Sequence, residues 1–341
     1  MKKPITLLLT FSLAIFMINC SGKQKTPPAK VHTPRINIES NRPSLGQIIS
    51  TPPMQNTVPP VPIEQISKTG KSHVSKKFKL PNTIKETSGL IKLDNRLWTF
   101  NDSGGKATLY QIDETNGQIV NTLNIQNAHN TDWEDIAYDD NYVYIGDIGN
   151  NRGNRKDLRV YKIPRTALGT QKNVLAEIIH FTYSDQKEFS SKPQKNNYDC
   201  EAMIAYNGNL YLFSKNWQNQ KTRLYELSGH AGKHEAKYLS TFNIQGLVTG
   251  ASINKELNIL LLSTYSPLLN VNVWAFTNYK QGEFFNANSK KLNFTRPLQG
   301  QVEAITFTAN YKAYLSTEAF KKYIFSFDAT LYELDFSEEF E

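Results

Sequence analysis

The chain has 341 residues, 39% of them hydrophobic and 21% charged, with a formal net charge of +8. The charge is lopsided: residues 1–80 hold 12 Lys and Arg against 2 Asp and Glu, which leaves 27 against 29 for the remainder. A folded part so close to neutral excludes a basic nucleic-acid-binding domain, and two cysteines exclude a disulfide framework.

The chain begins with Lys2 and Lys3, then an apolar run of 14 residues from Ile5 to Ile18. That run is too short and too close to the terminus for an ordinary membrane span. It ends in Met17-Ile18-Asn19-Cys20-Ser21-Gly22. These residues resemble a bacterial lipoprotein signal. The resemblance implies that 1–19 are removed, that Cys20 is lipidated, and that the protein is anchored in the bacterial cell envelope, at the periplasmic face or in the outer membrane. Residues 20–74 read as a tether, since nine of the fifteen prolines lie between 23 and 74. Such a stretch cannot bury enough apolar surface to offset its chain entropy. With Cys20 lipidated, Cys200 has no disulfide partner and reads as a small buried hydrophobe.

From 75 to 341 the pattern is all-β and repetitive. The motif recurs as ATLYQID at 107–113, LRVYKIP at 158–164, TRLYELS at 222–228, VNVWAFT at 271–277 and ATLYELD at 329–335. Its aromatic member falls at Tyr110, Tyr161, Tyr225, Trp274 and Tyr332, at intervals of 51, 64, 49 and 58 residues. A strand-only period of this size marks the blades of a β-propeller. In each blade an inner strand begins near Thr87, Glu134, Glu201, Thr249 or Glu303, and a short turn leads to a second strand. The recurring motif is the third strand, and its aromatics are expected to pack between blades. The fourth strands are expected at 118–125, 177–184, 237–244 and 290–296. The last blade runs out of chain after its third strand, and Lys76–Leu80 is the expected donor of its fourth. Five four-stranded blades closed by an N-terminal strand is the simplest count, with six as the alternative.

Aligned on their inner strands, the blades offer pairs two residues apart: Glu86 and Ser88, Asp132 and Glu134, Asp199 and Glu201, Leu247 and Thr249, Gln301 and Glu303. Residues i and i+2 of a strand share a face, so Glu86, Asp132, Glu134, Asp199, Glu201 and Glu303 should converge at one mouth of the axis. Crowded carboxylates must be protonated or neutralised by a cation, and oxygen ligands suit Ca²⁺ or Mg²⁺. The ends of the second strands add Asn101-Asp102-Ser103, Asp147, Asn150-Asn151, Lys215-Asn216 and Glu318. The loop GDIGNNRGNR at 146–155 brings Arg155 to the same rim. The site expected from this reading comprises Glu86, Asp102, Asp132, Glu134, Asp147, Asn150, Arg155, Glu201 and Glu303, to which the resemblance below adds Asp135. Asp132, Glu134 and Asp147 are the expected metal ligands. The histidines show no zinc spacing, and there is no phosphate loop or dinucleotide fingerprint.

ETSGL at 86–90, LWTFNDSGG at 97–105, LYQID at 109–113, DWEDIA at 132–137 and YIGDIGNN at 144–151 are similar to the SdiA-regulated and phytase-like esterase propellers of secreted bacterial proteins. The motifs match tightly over 84–164 and weakly beyond 216. The resemblance implies a propeller with a calcium-linked polar face and carries Glu86, Asp102, Asp132, Glu134, Asp135, Asp147 and Asn150 over as that face. Propellers of that kind usually have six blades, whereas the repeat here counts five. Two functions follow as expectations: an envelope-tethered module that binds a small molecule or a protein partner, or a metal-dependent hydrolase of phosphoesters or glycosides. The scarcity of basic groups near the rim, limited to Arg152, Arg155 and Lys215, favours binding over phosphate chemistry.

Overall fold

The computed structural model of the chain describes residues 70–322 and 325–340. The signal and lipidation expectations at 1–19 and Cys20 lie outside those residues, as does most of the tether.

Short turns set the hairpins. Asp94 and Asn95 both have positive φ (51° and 54°), as do Asn207 and Gly208 (51° and 80°). This is the two-residue turn whose twist matches that of the flanking strands. Around such turns five inner strands pair with five second strands, all antiparallel. Thr87–Leu93 pairs with Arg96–Asn101, and Trp133–Tyr138 with Tyr142–Asp147. Cys200–Tyr206 pairs with Asn209–Ser214, Leu247–Asn254 with Ile259–Tyr265, and Val302–Ala309 with Lys312–Thr317. The recurring motif forms the third strands Thr108–Ile112, Arg159–Pro164, Thr222–Ser228, Val271–Thr277 and Thr330–Asp335. Ile119–Ile125, Glu177–Tyr183, Gly232–Phe242 and Asn288–Lys291 follow as fourth strands. The inner strands pack on one another in cyclic order, the last against the first. The architecture is all-β and propeller-like.

The last sheet takes its outer strand from the start of the described chain. His73–Lys79 runs antiparallel to Thr330–Asp335, with Lys76 opposite Tyr332 and, past a bulge, Phe78 opposite Leu331. This is the expected closure, and it covers the edge that Thr330–Asp335 would otherwise expose.

Two features depart from a plain repeat. Glu177–Tyr183 pairs in parallel with the start of Gly232–Phe242 and fuses two four-stranded sheets into one of eight. The third-strand aromatics are also not equivalent. Tyr161 and Tyr225 are buried, whereas Tyr110, Trp274 and Tyr332 keep an edge in solvent. The two buried rings belong to the two fused sheets: Tyr161 packs against Trp133 at 5.9 Å and donates to the His129 carbonyl, and Tyr225 lies under the neighbouring outer strand. Tyr183, for example, lies 4.6 Å from Tyr225, centroid to centroid. Further in, Trp133 meets Phe100 edge-on at 5.3 Å.

One irregularity repeats around the ring. Every inner strand shifts register near its start, where the extra residue is Gly89, Glu134, Glu201, Thr249 or Glu303, and Val302–Ala309 shifts a second time at Thr308. A bulge redirects the side chain it carries and bends its strand. Three of the five therefore turn a glutamate toward the axis. In the first strand the bulge is Gly89, at φ +45°, where a Cβ would stand 2.5 Å from the Phe100 ring. That register differs from the one that equated Ser88 with Glu134.

Candidate cation site at the axial mouth

The N-terminal ends of the inner strands and the C-terminal ends of the second strands meet at one mouth. Glu134, Glu201 and Glu303 arrive on bulges and are 4%, 4% and 9% exposed. Two residues upstream of the first two lie Asp132, half-buried, and Asp199, fully buried. The second strands deliver Asp102, Lys215, Tyr265 and Glu318.

Carboxylate oxygens of Asp102, Asp132 and Glu134 lie within 4.8 Å of one another. Among the described residues the Glu134 carboxylate has no hydrogen bond or ion pair, although it is 4% exposed. A buried carboxylate without a partner is costly. Burial pushes its proton affinity well above the usual glutamate range, and Glu201, Asp102, Asp132 and Asp199 push it further. Asp132 is raised to about 7, first by burial and then by Asp199, with Arg155 opposing. Burial likewise raises Asp102, assisted by Asp132 and Glu318.

The other half of the mouth is neutralised from within. Lys215 Nζ donates to Glu201 Oε2 and sits 4.8 Å from the Trp217 ring centroid and 5.0 Å from that of Tyr265. Asp199 Oδ1 accepts from the Asn150 amide at 2.6 Å and its Oδ2 from Trp217 Nε1 at 2.7 Å. The surrounding carboxylates raise the Lys215 pKa well above the usual lysine value, although burial opposes them.

The loop after Tyr142–Asp147 walls the first half. The Gly149 amide donates to the Asp132 carbonyl at 3.2 Å. A Cβ on Gly149 would come within 2.5 Å of Asp132 Oδ2 and closer still to Glu134 Oε1. Only glycine leaves that space open.

Several expected residues serve the scaffold instead. Asp147, expected as a metal ligand, is fully buried between Arg155 Nη2 at 2.9 Å and Arg159 Nε at 3.4 Å. Asp102 stands with Asp132 and Glu134 where Asp147 was expected, because the second strand bearing Asp147 aims its side chain at its own loop. Arg155 also donates to the Gly149 carbonyl at 2.8 Å, and so braces that loop. Asn150 is spent on the Tyr198 carbonyl and the Arg155 amide. Asp135 faces away from the other acids. Its oxygens accept from the Ile136, Met203 and Ala251 amides at 2.8, 2.8 and 3.3 Å, which ties three inner strands together. The Glu86 side chain is 50% exposed beside Lys85 at 3.7 Å. Asp132, Glu134, Glu201, Glu303 and Asp102 are the expected site residues that do converge. Trp217 and Tyr265 were missed, although Tyr265 ends its second strand as Lys215 follows its own.

The opposite end of the ring holds a cavity of about 360 Å³ whose walls include Leu90, Ile91, Ile136, Met203, Ala251 and Phe307. None of the clustered carboxylates reaches it.

No protein-family model matches the chain, and no curated protein matches it. Among solved structures it is similar to a structural-genomics protein of unknown function from Bacteroides thetaiotaomicron VPI-5482. That match has 10% identity and a TM-score of 0.43, and covers 77% of this chain and 76% of the other. It is also similar to a tail fiber of Staphylococcus aureus phage P68, at 11% identity and a TM-score of 0.42, over 78% of this chain and 53% of that one.

Proposed function

We propose that this protein is a five-bladed propeller of the cell envelope, lipid-anchored through Cys20, that binds its ligand or partner protein through a divalent cation, Ca²⁺ by preference, at the axial mouth. The observation that carries the reading is the Glu134 carboxylate, buried without a partner and facing Asp102 and Asp132. Three carboxylates supply hard oxygen donors and no soft ones, the donor set of Ca²⁺. Gly149 leaves their shared space clear of side chains. Three ligands leave coordination positions for oxygens of a bound molecule, so Ca²⁺ would serve as the bridge. Five inner strands in cyclic order support the blade count. The motif resemblance at 86–151 supports a calcium-linked face, and the Cys20 context supports the anchor.

The test is a calorimetric titration of the purified, chelator-treated protein with CaCl₂, alongside thermal melts. The expected result is one equivalent bound and a higher melting temperature, since a ligand of the folded state stabilises it by mass action. Glu134→Gln should abolish both effects. No heat and no melting shift at millimolar Ca²⁺ would sink the reading. Calcium-dependent turnover of a phosphate ester or glycoside would convert it to a hydrolase.

A further inference from the structure

We infer that Lys215 is a resident cation: its ammonium does for Glu201 and Glu303 what a divalent ion does for Asp102, Asp132 and Glu134, and so confines metal binding to one half of the mouth. The second clause rests on the function proposed above; the first stands on the contact between Lys215 and Glu201 and on the two rings around the ammonium. The Lys215 and Glu201 side chains are each 5% exposed and in contact. The faces of Trp217 and Tyr265 complete a cage of the kind that attracts an ammonium ion. Glu303 is 9% exposed and, among the described residues, has no hydrogen bond or ion pair; burial raises its proton affinity and the Lys215 charge opposes that rise. Lysine is rarely buried this deeply unless paired. Among the described residues no lysine or arginine forms an ion pair with Asp102, Asp132 or Glu134, and Lys215 reaches Asp102 and Asp132 only through its field.

The arrangement has two consequences. Removing the ammonium leaves Glu201 and Glu303 buried without a counter-charge, which destabilises the fold. It also removes a positive charge that repels any cation held by the other half, so metal affinity should rise. A lysine that mattered only for its bulk would do neither once replaced by a side chain of similar length.

The experiment compares the full chain with Lys215→Met, Glu201→Gln and the double variant, by thermal melting without metal and by calorimetric titration with CaCl₂. Lys215→Met should melt roughly 10 °C lower and bind Ca²⁺ about tenfold more tightly. The double variant, which removes one positive and one negative charge together, should recover most of the melting temperature and bind Ca²⁺ nearly as the unaltered chain does. If Lys215→Met is too unstable to purify, a well-folded double variant is the expected rescue. Lys215→Met that melts and binds as the unaltered chain does would overturn the inference. So would a loss of stability that Glu201→Gln leaves uncorrected. If the unaltered chain binds no Ca²⁺, the cation-bridged function falls, and the melting comparison alone still decides whether Lys215 is the counter-ion.

Discussion

The axial mouth and the seam where the first described residues meet the C-terminal strand both bury acidic groups, with opposite outcomes. At the seam Glu339 is fully buried, and its Oε1 accepts from Ser72 Oγ at 2.9 Å and from the Asn293 amide at 2.5 Å. Its Oε2 lies 2.8 Å from Lys290 Nζ. Both oxygens are spent on joining the first described residues to the neighbouring sheet and the chain terminus. At the mouth, Glu134 is nearly as buried and has no such partner among the described residues. A buried charge that is fully satisfied holds a fold together, whereas one left unsatisfied costs stability and is tolerated where a ligand completes it.

That contrast can be broken at four places. The largest effect should come from deleting His73–Lys79, which strips the last sheet of its outer strand. The expected result is loss of a cooperative thermal transition by circular dichroism; an undiminished transition would mean that the seam does not close the ring. Next comes Asp147→Ala, which leaves Arg155 and Arg159 facing an empty buried position. It should cost about 3–5 kcal/mol in urea unfolding, and a change below about 0.5 kcal/mol would return Asp147 to the list of functional residues. Glu339→Ala removes the carboxylate from the seam and should cost about 3 kcal/mol while leaving Ca²⁺ binding intact. The smallest effect belongs to Glu134→Gln. In metal-free protein it should leave stability unchanged or raise it by about 1 kcal/mol, because it removes a buried acid that has no hydrogen bond or ion pair among the described residues. If Glu134→Gln destabilises the protein as Asp147→Ala does, the mouth is scaffold and the contrast between the two regions fails.

Most of the strand order was legible because each blade repeats the same alternation and turn chemistry. The inner strand expected at Glu201 was found at Cys200–Tyr206, and the outer strand expected at Lys76–Leu80 at His73–Lys79. The acids at 132, 134, 201 and 303 were legible for the same reason. The roles of Asp147 and Asp135 were not, since nothing in GDIGNNRGNR or DWEDIA says which carboxylate meets an arginine or three amides and which meets nothing. The fusion of two sheets through Glu177–Tyr183 and Gly232–Phe242 was also hidden, because parallel pairing between distant segments leaves no local mark.

By itself, then, the sequence determined an all-β repeat, the closing strand, and a surplus of acids at one end of the inner strands. These follow from period, turn residues and i, i+2 geometry, which are local properties of the chain. Only the tertiary structure decided which of those acids remain without partners. The bulges at Glu134, Glu201 and Glu303 re-aim them, and Lys215, Arg155 and Arg159 neutralise Glu201 and Asp147 and leave Glu134 unpaired among the described residues. A carboxylate's role depends on what lies within about 4 Å of it, because the cost of a buried charge is set by its nearest partners, and those distances exist only once the sheets have closed around the axis.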